Sequence, residues 1–416
     1  MRLLLALLLG CAIPVSGCGG GPEADELEIH RRLDVSGVTV TDVFAPSGGD
    51  GLPIVVILHG TGGEREVMEP LARAVAERDA VVYLPQWPVI DQVAPYPSDD
   101  AEPYRLQAEA VVCALRFARR TASEFGGDPD DMTLLGHSGG ATAGARVALV
   151  DDPPWPGIDC DSDVAHAPQR FIGTGGDFHG EYQYAFECPE FFRDYDPFSI
   201  EITNSELEVR LIHGVADRAV CSRVSMHFAD HLTAHGVDAE LVTTDSGHSD
   251  LRDPNTPSGR FVVEQVSAIV HDRPSVFELE GSAATLSMSS DDCDYSGPLE
   301  IDRGDLLRLE LLNPTTEPVW LSLVRVRPES DISLERVRSE RSPAGGGPPA
   351  WVSHGDFFLM EGGASRTLNW TVVDGDARWV IYCMPDPNPS EPMKWPSVRF
   401  WGGQLMSAAA IISSAG

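Results

Sequence analysis

Lysine is almost missing from this sequence: Lys394 is the only one in 416 residues. The other basic residues are arginines, and 30 basic side chains face 64 acidic ones, a formal net charge of -34. A surface of that sign repels phosphate backbones and anionic headgroups, which argues against nucleic-acid binding. The same acidity has a simpler use, keeping an exported protein soluble. The scarcity of lysine is a compositional bias and carries no chemistry. Metal-binding patterns are lacking as well, since the chain has no CxxC pair and no Cys/His cluster with zinc spacing. Hydrophobic content of 42% and charged content of 23% are ordinary, so neither a disordered chain nor a polytopic membrane protein is indicated.

What is present begins with MRLLLALLLGCAIPVSGCGGG, one arginine followed by an apolar stretch and a small-residue site. That is the pattern of an export signal, too short between its flanks to make a good spanning helix. VSGC, ending at Cys18, resembles a bacterial lipobox; LLGC, ending at Cys11, fits less well because it leaves a very short apolar region. The resemblance implies a signal peptide over 1–18 and a lipid-modified Cys18 that anchors the chain on a membrane surface. The expected location is therefore a bacterial cell envelope, or the exterior. Export would put the other six cysteines in an oxidising setting, where disulfides are expected. Cys293 pairs with Cys383 on this reading because both fall in the second domain proposed below. Cys113, Cys160, Cys188 and Cys221 allow three connectivities.

From about residue 30 to 272, short apolar runs alternate with helical patterns. PIVVIL, AVVYLP, MTLLG, RFIGT, VRLIHG and AELVTT read as strands covered on both faces. Between them lie helical spacings such as Met68, Leu71, Ala72 and Val75, or Val262, Val263, Val266 and Ile269. That alternation predicts an α/β fold with a mostly parallel sheet. Residues 175–206 break the rhythm with eight aromatics, from Phe178 to Phe198, and are expected to form a lid or insert. After DRPS the character changes: residues 275–416 carry strand-like runs split by turn signals, the pattern of a β-sandwich.

The chemistry lies in four short stretches. GHSGG follows the MTLLG run and opens a small-residue helix, the strand-turn-helix context that a nucleophile elbow at Ser138 requires. A serine hydroxyl needs a base to take its proton and a carboxylate to orient that base. Asp217 follows the 209–214 strand and His248 follows the 239–244 strand, in the order Ser, Asp, His and at the strand ends where open α/β sheets build sites. HGTGG, after the first parallel strand, supplies an oxyanion hole from the backbone N–H of Thr61 or Gly62, with that of Gly139. His59, His137 and His213 are read as buttresses beside turn glycines.

Taken together, HGTGG, GHSGG, HGVAD and SGH resemble the α/β-hydrolase superfamily over about residues 30–272. GDPDDMTLLGHSGG is similar to secreted esterases related to dienelactone hydrolases, prolyl oligopeptidases and polyhydroxybutyrate depolymerase or feruloyl esterase-like enzymes. The resemblance implies ester hydrolysis through an acyl-enzyme, with no cofactor and no metal, on a small-molecule or polymeric ester. Alternatives are a peptidase or amidase on the same machinery, or a surface-binding lipoprotein. The antiparallel start of the superfamily's sheet is reduced here to one hairpin around residues 31–45. More faintly, the C-terminal part resembles a cupredoxin-like sandwich. It lacks the histidines that a type 1 copper site needs near Trp320 and between Cys383 and Met393, so no copper is expected.

Overall fold

The structure, a computed structural model, describes residues 26–61, 63–88, 102–155, 157–158, 160, 163–178, 197–198, 200–217, 219–220, 222–288, 293–317, 319–327, 330, 333, 352–360, 362–373, 378–385 and 407–415. Cys18, Gly62, Cys188, Cys221 and residues 179–196 of the expected insert lie outside them.

The first half opens with a hairpin, β1 (Leu27–Val35) and β2 (Thr39–Pro46), longer at both ends than the span expected from sequence. The alternating part follows: β3 (Leu52–Leu58), α1 (Glu69–Ala76), β4 (Val81–Pro85), α2 (Glu102–Thr121), β5 (Gly127–His137), α3 (Gly139–Ala148) and β6 (Arg170–Thr174). β7 (Glu208–Gly214), α4 (Ser222–Ala234), β8 (Asp238–Thr244) and α5 (Pro257–Val270) complete it. These eight strands lie in the order β1-β2-β4-β3-β5-β6-β7-β8, with β4, β3 and β5 to β8 mutually parallel.

Strand and helix follow the patterning physically. Ile54 to Leu58 are fully buried because helices cover both faces of the sheet. α1 and α5 pack on one face, where Leu71, Val75, Val262 and Val266 join Val55, Ile57 and Leu135 in one core. α2, α3 and α4 cover the other, around Val56, Leu134, Phe171 and Val209. α5 starts where Thr256 Oγ1 accepts the Gly259 N–H at 2.9 Å, with Pro257 as the first helical residue.

The second half is built of strands: β9 (Ser282–Met288), β10 (Cys293–Ser296), β11 (Glu300–Asp302), β12 (Leu306–Leu312), β13 (Val319–Val326), β14 (Val352–Met360), β15 (Ser365–Thr371), β16 (Arg378–Pro385) and β17 (Ser407–Ala415). They form two layers. One, β11-β17-β16-β13-β14, is a separate sheet; the other, β15-β12-β9-β10, continues the main sheet beyond β8 to make twelve strands. Trp370 on β15 meets Trp379 on β16 edge-on at 5.5 Å, and the Cys293–Cys383 disulfide ties β10 to β16. A second disulfide joins Cys113 of α2 to Cys160, which selects one pairing from those the sequence left open.

The junction near residue 275 is therefore not a loose tether. β15 runs parallel to β8, with Asn369, Trp370 and Thr371 opposite Val242, Thr243 and Thr244. One sheet passes through both halves of the chain.

Candidate active site

The site is assembled from the carboxyl ends of β3, β5, β6, β7 and β8. Ser138 sits between β5 and α3 with φ 55° and ψ -127°, a backbone conformation that a residue with a Cβ seldom adopts. Such a residue costs on the order of 1–3 kcal/mol and persists only where its surroundings hold it. Here Ser138 donates its backbone N–H to Thr174 O at 2.9 Å, and its carbonyl accepts from Ala141 N–H at the same distance. The turn is also closed from the β3 side, where a Cβ on Gly60 would lie 3.0 Å from that of Ser138.

The side chain of Asp217, just beyond β7, is fully buried and divides its two oxygens between two tasks. Oδ1 accepts the N–H groups of Ala219 and Val220 at 2.8 and 2.9 Å, which folds the turn leading into α4. Oδ2 accepts the Nδ1–H of His248 at 2.5 Å. With Nδ1 committed to the carboxylate, His248 keeps Nε2 for proton transfer, and its side chain is 20% exposed.

His213 was read from sequence as a turn buttress, yet it faces the same carboxylate. Its Nε2 lies 3.0 Å from Val220 O, a pure acceptor, and 3.3 Å from Asp217 Oδ2. Nε2 therefore carries the proton, and Nδ1 accepts from the Ser225 hydroxyl at 2.6 Å. Burial alone would raise the Asp217 carboxyl; hydrogen bonds from His213 and His248 outweigh that and hold it well below the ordinary range.

His137 is likewise more than a flank of the elbow. Its ring centre is 4.8 Å from that of His248, tilted by 44°. Burial first, then the neighbouring His248, press its pKa well down, so it stands as a neutral wall beside His248. Gly175 completes the packing with φ +53°: a Cβ there would approach His248 Nδ1 to 3.2 Å and Asp217 Oδ2 to 3.4 Å.

The HGTGG loop sits against the start of α3. A Cβ on Gly139 would overlap Thr61 Oγ1 and lie 3.2 Å from the Thr61 nitrogen. The amides of Thr61 and Gly139 are thus neighbours, and that of Gly139 belongs to the first helical turn, whose N–H groups have no intrahelical acceptor. His59 does buttress this loop. Its Nδ1 donates to Gly60 O at 3.0 Å, Gln86 Nε2 donates to its Nε2 at 3.2 Å, and Trp87 Nε1 donates to its carbonyl. Farther along, Arg65 is held by the buried Asp42 at 3.3 Å, and its N–H donates to Gln86 Oε1 at 3.0 Å.

Of the residues singled out from sequence, Ser138, Asp217, His248, Thr61 and Gly139 all lie at this edge of the sheet. Of the aromatics in the expected insert, Phe178 and Phe198 are described; both pack on Phe228 of α4, at 4.2 and 5.4 Å. Among the described residues no three His, Cys, Asp or Glu side chains are grouped to hold a metal ion. No described helix is long and apolar enough to cross a membrane.

No protein-family model matches the chain. Over 269 residues it is 28% identical to the probable isoprenylcysteine alpha-carbonyl methylesterase ICMEL2 of Arabidopsis thaliana, covering 55% of this chain and 59% of that protein. Over 132 residues it is 30% identical to carboxylesterase NlhH of Mycobacterium tuberculosis, covering 30% of this chain and 39% of that one. Glutactin of Drosophila melanogaster is 28% identical over 142 residues, 32% of this chain and 13% of its own length. The chain thus spans less than two thirds of these relatives. Among solved structures, a truncated carbohydrate esterase from gut microbiota covers 61% of this chain at a TM-score of 0.48 and 14% identity, 98% of that chain being matched.

The first eight strands carry the α/β-hydrolase fold. In this arrangement Ser138 follows β5, Asp217 follows β7 and His248 follows β8, the chain order and strand ends that the fold offers for a serine, an acid and a histidine.

Proposed function

We propose that this α/β-hydrolase is a serine-dependent carboxylic ester hydrolase. The observation that carries the reading is the 2.5 Å contact between His248 Nδ1 and a buried Asp217, built beside the strained Ser138 turn. The kinship with a carboxylesterase and with methylesterases supports it.

In this mechanism the Ser138 hydroxyl attacks the ester carbonyl carbon while its proton passes to His248 Nε2. Charge moves onto the carbonyl oxygen, where the N–H groups of Thr61 and Gly139 receive it; Gly62 is an alternative donor outside the described residues. As the tetrahedral species collapses, His248 returns the proton to the departing alcohol and an acyl-serine remains. Water then attacks, His248 takes one of its protons and passes it to Ser138, and the carboxylic acid leaves carrying the other. Asp217 stays ionised throughout and fixes the His248 tautomer.

The lipobox-like VSGC ending at Cys18 supports a location on the outside of a bacterial envelope, with lipid on Cys18 as the anchor; palmitate incorporation that is lost in Cys18→Ala checks that location. Turnover of p-nitrophenyl acetate and butyrate by wild type and Ser138→Ala tests the activity. Loss of turnover in the variant is the expected result, and equal rates in the two would end the proposal.

A further inference from the structure

The loop that carries His248 is gripped from both sides. On one side is the acid-bearing loop: Val215 N–H donates to Thr244 O at 2.8 Å, and Ala216 N–H to Ser246 O at 3.1 Å. On the other is the C-terminal half of the chain. β15 pairs with β8 up to Thr371 opposite Thr244, and Thr243 Oγ1 donates to Asn369 O at 3.0 Å. Two residues past β15, the Val373 N–H donates to Asp245 Oδ1 at 2.9 Å.

That last bond sits where a strand ladder has run out. A buried backbone N–H must find an acceptor, and Val373 finds it on the side chain of the His248 loop instead of on a neighbouring strand. Asp245 is fully buried and Val373 is nearly so. Val373 and Leu306, from the C-terminal half, also belong to the same apolar core as Val242 and Leu251, which bracket the loop. The C-terminal strands therefore build one wall of the loop that holds the base.

We infer that the C-terminal β unit positions the catalytic histidine, and that Asp245 is the positioning residue through which it acts. The inference rests on His248 being the general base. A base displaced by about 1 Å loses on the order of 100-fold in rate even when the substrate still binds.

The test uses the full-length protein, with kcat and KM for p-nitrophenyl butyrate expressed per folded molecule, and hydrogen exchange over 245–252. Asp245→Ala is expected to lower kcat about 100-fold with KM nearly unchanged and to speed exchange in that segment. Asp245→Asn keeps an oxygen acceptor for Val373 and is expected to stay within about threefold of wild type. Arg366→Ala, which removes a C-terminal ion pair with Asp230 on α4, should leave kcat alone. Wild-type kcat and exchange in Asp245→Ala, or no rescue by Asp245→Asn, would overturn the inference. If Asp245→Ala does not fold, Val373→Pro removes the same bond from the donor side and carries the same expectation; failure of both to fold makes the contact purely structural and also overturns it. An inactive wild type would instead count against ester hydrolysis itself.

Discussion

His213 and His248 share one carboxylate oxygen: Asp217 Oδ2 lies 3.3 Å from the first imidazole and 2.5 Å from the second. The acid of the proposed triad is thus solvated by protein on every side, two amides on Oδ1 and two imidazoles at Oδ2. Such an arrangement keeps it ionised while removing water from its neighbourhood.

The first prediction concerns that carboxylate. Asp217→Asn keeps the volume but presents an amide that no longer enforces the Nδ1–H tautomer of His248. kcat/KM is expected to fall by on the order of 10⁴-fold with circular dichroism unchanged. Steady-state kinetics at pH 7 check it.

His213 tunes the pair through its Nε2–H. Removing that donor leaves Oδ2 with one imidazole instead of two. His213→Ala is expected to lower kcat/KM about 10-fold, the equivalent of one lost hydrogen bond, with the fold retained. Steady-state kinetics and circular dichroism check it.

Gly139→Ala tests the oxyanion hole by crowding. The added Cβ would overlap Thr61 Oγ1 and push apart the two amides proposed to receive charge in the transition state. A loss of about 100-fold in kcat is expected, with little change in KM.

The hairpin should govern acid stability. Arg31 donates to Glu69 and to Asp42, and hydrogen bonding by Arg31, aided by Arg73, pushes the Glu69 carboxyl down to about 2 from an ordinary 4.5. A depressed carboxyl contributes stability above its unfolded value and loses it as pH falls through the folded one. Wild type should therefore lose stability between about pH 4.5 and 2, and Glu69→Gln should be less stable at neutral pH with a flatter decline across that window. Thermal unfolding as a function of pH measures both.

Much of this site was legible because its parts are local. PIVVIL and VRLIHG can be read as strands from continuous burial alone, and a serine, an acid and a histidine each just past a strand end need no tertiary knowledge. The second roles of His137 and His213 were not legible, since a histidine beside a turn glycine looks the same whether it props the turn or faces a carboxylate from the next strand end. The same holds for RTLNWTVV. Its pattern fits a sandwich strand, and nothing in it announces that its partner is β8; that pairing depends on residues about 130 positions apart, as the bond from Thr243 to Asn369 across 126 positions shows. Only folding in three dimensions joins the halves.

The central claim is that Ser138 is the nucleophile, and mass analysis of protein treated with a fluorophosphonate tests it most directly. One adduct per chain, mapped to the peptide holding Ser138 and absent from folded Ser138→Ala, is the result predicted. Labelling that fails on the folded wild type, or persists in Ser138→Ala, would contradict it.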